Sequence, residues 1–165
     1  MKSDWIRELA NHENRLEETG VFEQPPTLNR DYLLSAETIQ FLTLLKNQFI
    51  QAATTFNQFK HSPHGRIKVY GIAKTYSDFM LFRNGFKMVF SQKEPGLISI
   101  RYNFMVTNPV TTSDAKHNTS SIEEHLLKAK MSPFGDVTWT FEDCPVTLES
   151  VVRYHLTLFV RESTQ

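Results

Sequence analysis

Cysteine is almost missing from this chain: Cys144 is the only one in 165 residues. That excludes an internal disulfide and any all-cysteine metal site, and it fits a reducing compartment. Long apolar runs are missing too. No stretch approaches the roughly 18 to 20 residues needed to cross a bilayer, and the opening Met1-Lys2-Ser3-Asp4-Trp5 lacks the apolar segment of a signal peptide. The expectation is a cytoplasmic protein with no membrane insertion, in which the sequon Asn118-Thr119-Ser120 carries no sugar.

The usual catalytic signatures are absent as well. There is no Walker loop, no G-x-G-x-x-G, no H-E-x-x-H and no G-x-S-x-G, so the common phosphate, dinucleotide, zinc-protease and esterase sites are not indicated. His61-Ser62-Pro63-His64 places two imidazoles three apart, but no acid or cysteine is adjacent to complete a ligand set, and a solvated loop is the better reading. Cys144 would need a histidine brought to it in space, with His155, His125 or His117 as the candidates. A small loop or buried thiol is the commoner fate of such a residue. Glu142, Asp143 and Glu149 cluster where a final helix begins, a place the helix dipole favours for acids without any catalytic duty. No cofactor and no metal site are therefore expected.

What the chain does have is aromatic mass and separated charge. Thirteen phenylalanines supply enough apolar area for a packed core in one domain of this length. Lysine plus arginine balance aspartate plus glutamate at 18 each, yet residues 1–40 carry a net −4 and residues 60–101 a net +6. Opposite charge in two segments points to association, within the chain or with a partner.

The patterning divides the chain into an acidic N-terminal helix (residues 1–24) and a single α+β domain (28–165). Ser3 is placed to cap a helix running to Thr19 with Gly20 as its stop, on a thin apolar stripe of Trp5, Ile6, Leu9 and Leu16. Gln24-Pro25-Pro26-Thr27 forbids helix and reads as an extended hinge. A helix from Ser35 to Phe59 follows, with Leu42, Leu45, Phe49, Ala52, Phe56 and Phe59 on one face. Ile39, Phe41, Leu44 and Ile50 widen its apolar surface, so this helix is either central or pairs with another chain.

From Arg66 the period changes to two. Residues 66–74 read as a strand, Asn84-Gly85 as the type I′ turn of a hairpin pairing 79–83 with 86–90, and 97–106 as the next strand after a turn at Lys93-Glu94-Pro95-Gly96. Residues 107–119 are polar and read as a mobile surface loop. Ser120 with Glu123, or Ser121 with Glu124, suggests a capped short helix ending at Pro133 and Gly135. Val137 to Phe141 is then a strand, and Thr147 caps a last helix carrying Leu148, Val151, Val152, His155, Leu156 and Phe159 on one side. The expected architecture is an antiparallel sheet of four to five strands with helices packed mainly on one face.

On the other face the predicted register collects Lys68, Tyr70, Phe82, Lys87, Ser99 and Arg101. Function is expected from surfaces of this kind: a non-catalytic protein-interaction or adaptor module, assembling with itself through Phe41, Leu44, Phe49 and Phe56 of helix 35–59. The alternative is nucleic-acid binding through Lys68, Tyr70, Phe82, Lys87 and Arg101, whose aromatic planes and positive charge suit bases and phosphates. A further alternative is an enzyme or small-ligand pocket lined by Phe and Met beneath the sheet, with Cys144 and His155 as its reactive groups.

Overall fold

In a computed structural model the described residues are 3–22, 29–103 and 122–164. The hinge at Gln24–Thr27, the loop 107–119, His117 and the serines of the capping box lie outside them. The chain forms two compact units, Met1–Leu33 and Leu34–Gln165. No helix among the described residues is long and apolar enough to cross a membrane.

The first helix, α1 (Asp4–Thr19), closes as its sequence implies: Gly20 adopts φ 65° and its N–H returns to the Leu16 carbonyl at 2.8 Å. Its start differs from expectation. Ser3 lies at φ −90°, ψ 11° and makes no side-chain cap bond, because an N-cap hydroxyl reaches the first turn only from extended backbone. The chain of α1 continues to Phe22, whose ring meets His12 edge-on at 5.7 Å.

The second helix, α2 (Arg30–Phe59), starts earlier than Ser35 and buries Leu34, Thr38, Leu42, Leu45, Phe49 and Ala53. It is followed by seven strands in sequence order: β1 (Lys68–Gly71), β2 (Phe79–Arg83), β3 (Phe86–Glu94), β4 (Leu97–Asn103), β5 (Ile122–Met131), β6 (Val137–Phe141) and β7 (Cys144–Pro145). Every neighbouring pair is antiparallel. The last helix, α3 (Leu148–Glu162), begins at Thr147, where the threonine and Ser150 side chains each bond the other's backbone N–H.

The α+β antiparallel architecture agrees with the sequence reading, but the strand count is higher. The additional long strand is β5, in the segment expected to be a short helix. Its adjacent Leu126 and Leu127 resemble one side of a helix, yet His125, Leu127, Ala129 and Met131 are separated by Glu124, Leu126, Lys128 and Lys130, a period of two. Leu127 is wholly buried, while Leu126 falls on the opposite face. The two-residue β7 adds the seventh strand.

The hairpin at Asn84-Gly85 has φ 51° and 81° at those residues, as a type I′ turn requires. Its register runs Arg83↔Phe86, Phe82↔Lys87, Leu81↔Met88, Met80↔Val89 and Phe79↔Phe90. One face of the sheet therefore carries Phe79, Leu81, Met88, Phe90, Ile98, Ile100, Tyr102, Leu127 and Trp139, all buried with α2 and α3 residues in one core. Phe79 and Phe90 stack at 4.6 Å, and Phe49 of α2 packs on both. The space beneath the sheet is filled by these rings and by Met88, none more than 1% exposed.

Polar clips fix the helices to strand ends. Asn57 bonds both the N–H and the C=O of Ile67 at 2.9 Å, joining the end of α2 to the chain entering β1. Thr38 accepts from the Gly96 N–H at 2.8 Å while donating to the Leu34 carbonyl; Pro95-Gly96, with Gly96 at φ 82°, turns β3 into β4. Buried Arg83 donates to the Gly65 and Val160 carbonyls and to Ser163 Oγ, with its guanidinium 5.3 Å from the Phe56 ring. It thereby supplies positive charge to the carbonyl-rich end of α3.

Candidate functional site: the open face of the sheet

Because side chains alternate across a strand, the register that fills the core also decides what stands on the other face. Lys68, Phe82, Lys87 and Asn103 are direct neighbours across β1 to β4, and Tyr70, Met80, Val89, Arg101 and Glu124 form the next row. The face anticipated from sequence is thus assembled in register, with Met80, Val89 and Leu126 added to it. Among the described residues it is open: Tyr70 is 43% exposed, Ile122 is 60% exposed, Lys68, Lys87 and Arg101 are exposed, and Met80, Phe82, Val89 and Leu126 are half-buried.

The chemistry of this face is apolar in the middle and positive around it. Phe82 is flanked by Lys68 and Lys87, and the row Tyr70–Met80–Val89 ends on Arg101. Lys128 and Lys130 are also exposed here, on β5. The acid Glu124 is held locally: Ser99 Oγ donates to it at 2.6 Å, and Lys93 pairs with it at 3.4 Å. The Ser99 bond, helped by Lys93 and Arg101, keeps its carboxyl below the usual carboxylate range. Ser99 itself is buried by this contact.

The four α2 residues expected to mediate self-association are placed differently from one another. Phe49 lies wholly inside the core. Phe41 stacks on Trp139 at 4.9 Å, and Phe56 lies beneath Arg83. Leu44 is exposed, as is Ile50. The wide apolar surface of α2 thus belongs largely to the core it shares with the sheet and α3.

The titratable groups singled out in sequence divide in the same way. His61 and His64 are exposed in the turn after α2. Cys144 is exposed on β7, whereas His155 is buried on α3 with Nδ1 donating to the Val151 carbonyl at 2.8 Å. Its other nitrogen faces His125 Nδ1 at 3.3 Å, and the Tyr102 hydroxyl meets that same His125 nitrogen at 2.5 Å. This cluster was not legible in sequence, since it joins residues of β4, β5 and α3. Burial pushes the His155 pKa down to about 4, lowers that of His125 and raises that of Tyr102. No group of three or more His, Cys, Asp or Glu that could hold a metal occurs among the described residues. The cluster is best described as a polar tie between sheet and helix.

No protein-family model, no curated protein and no solved structure matches this chain.

Proposed function

We propose that this protein is a non-catalytic protein-binding module that assembles with itself, and that the open face of its sheet is the docking surface. The observation that carries this reading is the row Tyr70–Met80–Val89 with Phe82 beside it, bordered by Lys68, Lys87 and Arg101. An apolar centre within a charged rim is the anatomy of a protein interface. The test is solution mass by light scattering over a concentration series. The wild type is expected to exceed the monomer mass, and Tyr70→Ala combined with Lys87→Glu to lower it. A strict monomer at all concentrations would overturn the reading.

A second reading draws support from one feature of the same face. Phe82 stands directly between Lys68 and Lys87, with Tyr70 on the next row, an arrangement suited to stacking bases and neutralising phosphates. Single-stranded oligonucleotide binding that weakens steeply with salt, and is lost in Lys87→Glu, would favour it.

A further inference from the structure

The helix α1 carries the complement of that face. Its Trp5, Leu9 and Leu16 recur at steps of four and seven, on one side of the helix, with Ile6 at the margin. At about 100° per residue, Glu13 and Glu17 border this stripe on one side, Glu8 and Arg15 together border it on the other, and Arg7 points away. Five acids stand against two arginines over its length. The helix buries none of its residues, and Trp5 and Leu9 are 57% and 56% exposed.

We propose that α1 of a second copy of this chain docks across the open sheet face. Its apolar stripe lies over Tyr70, Met80, Phe82 and Val89, and its flanking glutamates meet Lys68, Lys87 and Arg101. The inference rests on the reading of that face as the interaction surface and names its occupant. Lengths agree: the stripe from Trp5 to Leu16 spans about 16 Å at 1.5 Å per residue, and the row from β1 to β4 spans about 14 Å at 4.8 Å per strand. Charge sign agrees along the Glu13–Glu17 border of the stripe, and the helix as a whole is acidic, which selects it over a neutral or basic one. Two copies exchanging helices make a closed, two-fold dimer in which each α1–sheet contact occurs twice.

The experiment is a charge swap in the full chain, read as solution mass across a concentration series. All the residues changed are exposed, and unaltered circular dichroism and melting temperature verify the fold of each variant. Lys87→Glu with Arg101→Glu is expected to weaken dimerisation at least about tenfold, as is Glu13→Lys with Glu17→Lys, because each places like charges together. All four changes together are expected to restore the dimer. Trp5→Ala with Leu9→Ala is expected to dissociate it without repair by any charge change.

If the sheet variants dissociate the dimer and the α1 variants leave it intact, the occupant is another part of the copy; the inference then fails and the docking surface stands. Dissociation by both pairs without restoration in the fourfold variant also overturns the inference. A wild type that is monomeric throughout removes both the inference and the reading beneath it.

Discussion

His155 shows how one residue turns position into pH dependence. Its Nδ1 must carry a proton, because it donates to the Val151 carbonyl, and the ring is neutral with Nε2 directed at His125. A second proton would place charge in a buried site beside another imidazole and the Phe90 ring. Above pH 6.5 the ring is neutral in folded and unfolded chains alike. On acidification the unfolded chain takes up the proton near 6.5 and the folded chain only near 4. The associated stability is therefore complete above pH 6.5 and is lost progressively on falling to pH 4, by about 3 kcal/mol. Urea denaturation at several pH values should show this slope, and His155→Gln should flatten it. Glu123 and Glu142 favour the charged form of His125 and make that ring the easier of the two to protonate. Equal slopes in wild type and variant would remove His155 as the cause.

At the scale of elements, the two helix starts make a controlled comparison. Thr147 and Ser3 are both small hydroxyl residues one position before a helix, yet only Thr147 lies in extended backbone and accepts the Ser150 N–H at 3.1 Å. Thr147→Ala should cost about 1 kcal/mol, since it leaves a first-turn donor without its partner. Ser3→Ala should leave the thermal midpoint unchanged. Calorimetry distinguishes the two, and an equal effect at both positions would contradict the cap geometry. Elements were legible in sequence wherever a local signal was unopposed: the Asn-Gly turn, the 3.6-residue period of α2 and α3, and the alternation of 137–141. β5 was not, because Leu126 and Leu127 satisfy a helical stripe and a two-faced strand equally well over so short a stretch. Pairing with β4 on one side and β6 on the other resolves that ambiguity.

For the whole molecule, the governing quantity is the separation of charge between the acidic first 40 residues and the basic sheet. The proposed contact combines that attraction with apolar burial, and the two respond differently to salt. Raising ionic strength from about 0.05 to about 0.5 M shortens the screening length several-fold and should weaken association, while the buried apolar row retains part of it. Light scattering at the two salt concentrations measures the balance. An assembly wholly insensitive to salt would be held by apolar contact alone and would point away from the Lys68–Lys87–Arg101 border.

The sequence alone determined the α+β class, the antiparallel hairpin register, the long helix and the sign of charge on the outer sheet face. Each follows from spacing along one segment, where side-chain direction is set by the local period. Only the tertiary structure decided which face of α2 would be enclosed, that residues 122–131 would complete the sheet, and that His125, His155 and Tyr102 would meet. Those outcomes depend on contacts between different segments, such as Phe41 with Trp139 and Tyr102 with His155, and such contacts are closed by core packing rather than by any preference of the segments themselves.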